Sequence, residues 1–287
     1  MRETRLISTG RSIVLGFALS LAFACPSFAG DTPKHEETPH RYEWSFAGVF
    51  GRYDKAQLRR GFKVYKEVCA TCHSIKMLAF RNLGQPGGPE FSAEEVKALA
   101  ESYKIKDGPN DSGEYYERPG RPSDRFPSPF ANEQAARTAL GGSYPPDMSV
   151  LAKARGYSRG FPWFLLDALP GLSYQEHGVD FIVSLMEGYA DPPAETQLPP
   201  GQFYDPYMPG RRIGMPPPLV DGVVTYDDGS PQTIDQYAKD VSAFLMWSAE
   251  PHLDARKRIG LGVLSFLIVF AAMLYFVKRK IWSNVAH

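Results

Sequence analysis

The sequence predicts a mainly α-helical protein carrying one C-terminal membrane-spanning helix. Three observations lead there. Apolar residues recur at helical spacing behind residues that cap helices, strand signals are few, and Ile259 to Val277 is a run of 19 residues without a charge.

The N-terminus reads as a cleavable leader over residues 1–29. Arg2, Arg5 and Arg11 precede an apolar run from Ile13 to Ala24, and Ser27-Phe28-Ala29 offers small residues where a signal peptidase reads. The run is short for a membrane span, and Phe23 fits poorly in a lipobox ahead of Cys25. Cleavage after Ala29 exports the body, residues 30–252, and leaves residues 253–287 as anchor and short cytoplasmic tail.

Within the body, Asp54 caps a helix that carries Leu58, Phe62, Tyr65 and Val68 on one face. Ser92 and Glu95 form a capping box, and Thr233 with Gln236 repeats it ahead of an Ile234, Ala238, Val241 and Leu245 stripe. Asn132 caps a short helix through Leu140. Asp147 caps another that contains Arg155, and Gly178 to Glu187 supplies a further apolar segment. Pro251 ends or kinks the helix before the anchor. Val223 to Tyr226, closed by Asp-Asp-Gly, is the best strand signal. Residues 192–218 hold nine prolines and must form loop, long enough to expect a function there.

The uncharged run would span about 28 Å, close to the thickness of a bilayer's hydrocarbon. Arg256-Lys257-Arg258 and Lys278-Arg279-Lys280 bracket it evenly, so loop charge does not orient it, whereas the leader does. With the leader and the six cations flanking the uncharged run set aside, 23 Lys and Arg remain against 31 Asp and Glu, so the exported part carries about −8. That charge excludes a nucleic-acid partner and implies a basic one. Residues 90–117 concentrate it, with eight acids against three lysines, which by composition alone reads as an ordinary solvated face.

The chemistry lies in Cys69-Ala70-Thr71-Cys72-His73, a C-x-x-C-H sequence. Two thiols three positions apart can each bond a vinyl group of one haem, and the adjacent imidazole can take the iron's fifth position. A redox dithiol has no use for the histidine. A zinc site needs a second Cys or His pair, and the third cysteine, Cys25, lies in the leader. A haem that only transfers electrons needs a sixth ligand, for which a thioether is usual and raises the potential. Met215, followed by three prolines that stiffen its loop, and Met208 are both candidates; His177 and His252 are others.

Taken with RRGFKVYKEVCATCHSI (59–75), FRNLG (80–84), PPDMSVLAKAR (145–155), GYADPP (188–193) and YDPYMPGRRIGMPPPL (204–219), the chain resembles the cytochrome c1 family from Trp44 to Trp282. The resemblance implies a mono-haem cytochrome c-like domain with long loop insertions, one covalently bound haem c on Cys69 and Cys72, and axial ligands His73 and Met215. It also implies Arg155 near a haem propionate and Pro145-Pro146 packed by the haem. The implied function is electron transfer within quinol–cytochrome c reductase. One electron comes from the Rieske iron–sulfur protein and passes to a basic cytochrome c. Cytochrome b is a partner, the complex is dimeric, and the haem domain sits on the periplasmic side of a bacterial cytoplasmic membrane. On this reading no residue of the chain acts as acid, base or nucleophile. Two alternatives are a free-standing membrane-tethered cytochrome shuttle and a haem enzyme with an open sixth position. The stretch Arg159 to Gly178 is longer than in compact members of the family.

Overall fold

A computed structural model describes residues 37–157, 162 and 177–283. The leader expected at 1–29, with Cys25, and most of the 159–178 stretch lie outside the described residues.

The core is a packing of helices around one nearly enclosed element. Helix α1 (Lys55–Glu67) starts where Asp54 Oδ1 accepts the Gln57 N–H at 2.9 Å. Helix α2 (Ala93–Glu101) has the full capping box expected of Ser92 and Glu95. Asn132 caps α3 (Glu133–Ala139) through the Ala135 N–H. Helices α4 (Leu151–Ala154), α5 (His177–Glu187) and α6 (Ile234–Ala249) follow. Two small antiparallel pairs complete the body: β1 (Lys104–Asp107) with β2 (Tyr116–Pro119), and β3 (Phe203–Tyr204) with β4 (Arg212–Ile213).

Helix α6 buries ten residues from Tyr237 to Trp247, well beyond the single stripe read from its periodicity. The cause is that α1 and α5 both pack on it, so it has little face left for water. At the α1–α6 crossing the backbones nearly touch: a Cβ on Gly61 would sit 2.0 Å from the Asp240 carbonyl oxygen. Phe62 and Tyr65 then reach Phe244, with ring centroids 5.6 and 5.8 Å away. Asp240 is fully buried on α6 and accepts from Arg60 Nε (2.8 Å) and a second Arg60 nitrogen (3.2 Å). The Tyr226 hydroxyl (2.9 Å) and the Gln236 amide (2.9 Å) also donate to it.

Three local expectations change. Thr233 accepts the Gln236 N–H, but the Gln236 side chain turns to Asp240 instead of back to Thr233, so only half a capping box forms. Asp147 does not begin a helix; α4 starts four residues later, and Arg155 is its C-cap rather than an interior residue. Val223 to Tyr226 is not a strand. The Tyr237 hydroxyl lies between the Val224 N–H and carbonyl and bonds both, satisfying backbone groups that a ladder would otherwise pair.

Helix α7 (Leu253–Trp282) has 30 residues, about 45 Å at 1.5 Å each. It is long and apolar enough to cross a membrane, and none of its most apolar 18-residue window is buried. Its root is braced. The Tyr53 hydroxyl donates to the Met246 and Glu250 carbonyls at 3.2 and 3.1 Å, and the Tyr53 N–H meets Asp254 Oδ1 at 3.4 Å. Lys257 Nζ donates to the Phe46 and Gly51 carbonyls. Pro251 falls in the short turn between α6 and α7, as its missing N–H requires.

Candidate functional site

Helix α1 delivers the cysteine turn directly. After Glu67 the chain tightens into a 3₁₀ turn, Cys69–Thr71, and the Cys72 and His73 N–H groups both donate to the Cys69 carbonyl, at 3.1 and 2.8 Å. Thr71 Oγ1 donates to the Val68 carbonyl (2.7 Å), and the Tyr65 hydroxyl to the His73 carbonyl (3.3 Å). The turn is therefore pinned from both ends, and the two cysteines on it are half-buried.

His73 is buried, and its Nδ1 lies 2.9 Å from the Pro146 carbonyl oxygen. A carbonyl only accepts, so Nδ1 carries the proton and the Nε2 lone pair is left to bind a metal. Burial lowers the imidazole's pKa, more than the Pro146 carbonyl and the Asp147 charge raise it. The ring is thus neutral, as a metal ligand must be.

Pro146 is held in turn by a latch that periodicity does not reveal. Asp147 Oδ2 accepts from Ser74 Oγ (2.7 Å) and the Lys76 N–H (3.0 Å), and Oδ1 accepts from the Ser149 N–H (2.9 Å). The Met148 N–H reaches the Ser74 carbonyl (2.8 Å), and the Met77 N–H reaches Ser149 Oγ (3.0 Å). Although burial opposes ionisation of Asp147, the Lys76 and Ser149 N–H donors and the two serine hydroxyls hold its carboxyl below the usual range. An Asp two residues before a Ser, directly after a Pro-Pro pair, was the available signal; it reads equally well as a helix cap.

The thiol side and the proline side meet. Cys72, Ser74 and Lys76 line one cleft together with Tyr144 and Pro145. Next to Met215, Gly214 packs on the segment that leads into this cleft: a Cβ on it would lie 2.5 Å from Ser143 Oγ, two residues before Pro145. Met215 is half-buried against the core, and the Tyr189 hydroxyl donates to its carbonyl at 3.1 Å. Met208 instead forms the N-cap of the 3₁₀ turn Pro209–Arg211, with its N–H on the Asp205 carbonyl and its carbonyl on the Arg211 N–H. His177 Nδ1 is 2.7 Å from the Tyr157 carbonyl, and His252 stands at the root of α7. Arg155 is exposed at the end of α4.

This donor set fits an iron porphyrin. It provides two cysteines on one turn and a neutral imidazole with its second nitrogen already committed. These are the features of a haem protein with, among the described residues, one long apolar helix. The sequence profile of the Cytochrome C1 family matches residues 44–285, and the chain belongs to that family. It is 50% identical over 279 residues to the cytochrome c1 of Blastochloris viridis, covering 96% of this chain and 98% of the relative. It is 52% identical to the cytochrome b/c1 of Bradyrhizobium diazoefficiens over 97% of this chain, which spans only 41% of that longer relative. With a Candida albicans protein named as the mitochondrial cytochrome b-c1 complex catalytic subunit it shares 43% identity, over 88% of this chain and 80% of the relative.

The acidic stretch is more neutralised than its composition implies. Arg59 pairs with Glu95 (3.1 Å) and Lys55 with Glu90 (3.2 Å), while Arg118 bridges Asp107 and Asp124. Glu94, Asp111 and Glu114 stay exposed, and no ion pair holds them among the described residues.

Proposed function

We propose that this chain is the haem-bearing electron-transfer subunit of a quinol–cytochrome c reductase complex. In this reading it takes one electron from the Rieske iron–sulfur protein and passes it to a basic cytochrome c. The observation that carries the reading is the His73 Nδ1 to Pro146 carbonyl bond within a C-x-x-C-H turn, which leaves Nε2 unprotonated and aimed by a rigid backbone. A haem c would supply a one-electron couple here; Cys69 and Cys72 would hold it by thioether bonds, and His73 and Met215 would ligate its iron. Tyr189 and the three prolines after Met215 restrain the loop so that the thioether does not wander. Pro145 and Pro146 wall the group from water, and Arg155 offers its guanidinium to a propionate. No residue of the chain needs to move a proton.

Cytochrome b is the proposed membrane partner, supported by the relative whose name joins the b and c1 cytochromes and by the one named for the b-c1 complex. Helix α7 anchors the chain in a bacterial cytoplasmic membrane with residues 30–252 periplasmic, and the assembly is a dimer of complexes. Exposed Glu94, Asp111 and Glu114 support a basic acceptor.

The test is purification of the tagged full chain from its own membranes in mild detergent. Cytochrome b and an iron–sulfur protein should co-elute, and the chain should keep its haem spectrum under denaturing electrophoresis. A chain that elutes alone with its haem would instead be a free-standing tethered shuttle. Loss of the haem on denaturation would remove the covalent assignment.

A further inference from the structure

Phe50 is 79% exposed, the most exposed aromatic ring among the described residues of the body. It sits on a short loop closed by the Arg52 N–H on the Ser45 carbonyl at 2.9 Å, with Gly48 at φ +68° allowing the turn. The loop's interior is fully packed: Phe46 is buried, stacked on Trp44 (5.2 Å) and against Tyr53 (5.1 Å). Of residues 46–52, Phe50 and Arg52 are the exposed ones. A rigid loop that presents one aromatic and one cation to its surroundings is built to meet something.

Its position says what. Lys257 grips both shoulders of the loop, at the Phe46 and Gly51 carbonyls, and Asp254 takes the Tyr53 N–H. The uncharged run begins at Ile259, two residues beyond Lys257 and five beyond Asp254. Those separations are about 3 and 7.5 Å along the helix. A headgroup layer is about 5–7.5 Å deep on each side of the hydrocarbon. The clamped loop therefore falls within that layer whenever the uncharged run fills the hydrocarbon. Exposed Arg256 and Arg258 lie at the same height. Aromatic rings and cations together are what a headgroup region accepts.

We propose that the 46–52 loop is a second membrane contact, with Phe50 entering the lipid interface beside α7 and Arg52 reaching a lipid phosphate. The proposal rests on the reading of α7 as a membrane span. Two contacts at one end of the body restrict its tilt, which a single helix does not.

The test uses the full chain in nanodiscs of phosphatidylcholine and phosphatidylglycerol, with photoreactive p-benzoylphenylalanine placed singly at Phe50, Phe266 or Tyr115. Phe266 lies mid-span, and Tyr115 is an exposed ring on the body's acidic loop. After illumination, mass spectrometry should find lipid adducts at Phe50 and Phe266 and none at Tyr115. Adducts at Phe266 without any at Phe50 would overturn the loop contact and leave the span intact. Absence at both would overturn the span reading as well. Adducts at Phe50 to protein alone, in nanodiscs or in the native complex, would assign the loop to a protein partner and overturn the lipid contact.

Discussion

His73 Nδ1 and the Pro146 carbonyl oxygen, 73 residues apart in sequence, lie 2.9 Å from each other. The bond ties the cysteine turn at the end of α1 to the segment that Asp147 latches. The imidazole is therefore oriented by backbone on both sides, with no side chain that could rotate away.

If Met215 is the sixth ligand, Met215→Leu should remove the thioether-to-iron absorption band, lower the potential and let carbon monoxide bind the ferrous haem. Met208→Leu should leave all three unchanged, because one thioether fills the sixth position. An unaltered Met215→Leu spectrum would reject the assignment.

Arg155 is expected to neutralise a propionate. Its replacement by Ala removes a positive charge from the ferrous state's surroundings, so the potential should fall by on the order of tens of millivolts, at about 59 mV per 1.4 kcal/mol for one electron. Redox titration with a parent-like midpoint would mean that no propionate lies within contact of this side chain.

Arg60 and Asp240 should dominate the stability of the α1–α6 crossing. Arg60→Ala strands a fully buried carboxylate and should cost about 3–5 kcal/mol. Adding Asp240→Asn to that variant should restore part of the loss, since the stranded charge is then gone. Chemical denaturation of the detergent-solubilised chain measures both, and additive losses would show that the two side chains are not coupled.

Stability should also depend on pH through Asp180. Burial, against the Trp44 indole and Tyr42 N–H donors, pushes its carboxyl up to about 6. The folded pKa lies above the unfolded value, so the folded state holds more protons between about pH 4 and 6 and loses stability as pH rises through that window. The full effect is roughly 3 kcal/mol. Asp205, also raised to about 6 by burial, adds a similar share. Asp180→Asn keeps an acceptor for Trp44 and should flatten about half of the slope in urea midpoints; an unchanged slope would place the titration elsewhere.

Charge reversal separates docking from folding in the acidic stretch. Glu94, Asp111 and Glu114 changed together to Lys should slow electron transfer to a basic cytochrome c at low salt, with the defect shrinking as ionic strength rises. Glu95→Lys should instead lower stability, since it breaks the Arg59 fork. Equal low-salt rates for triple variant and parent would return the stretch to a plain solvated face.

Residues that act locally were readable from the chain. Asp54, Ser92 and Asn132 cap because their side chains need only the next turn, and the apolar run of α7 needs no partner to be recognised. The C-x-x-C-H turn is legible for the same reason. What was misread depends on distant partners. Asp147 looks like a cap until Ser74 and Lys76 arrive from another segment, and Val224 looks like strand until the Tyr237 hydroxyl takes its backbone groups. The crowding at Gly61 and the enclosure of α6 likewise exist only once α1 and α5 have docked.

The brace of Tyr53 on Met246 and Glu250 gives α7 the character of a mount and not of a leash. A body on a flexible tether would sweep a hemisphere and present its cysteine turn at every angle. Here α6, about 24 Å long for its 16 residues, runs into a pinned corner and continues as the membrane helix, with α1 and the turn fixed to its flank. The height of residues 69–73 above the bilayer is then a built length, set by helix register like the graduation on a ruler.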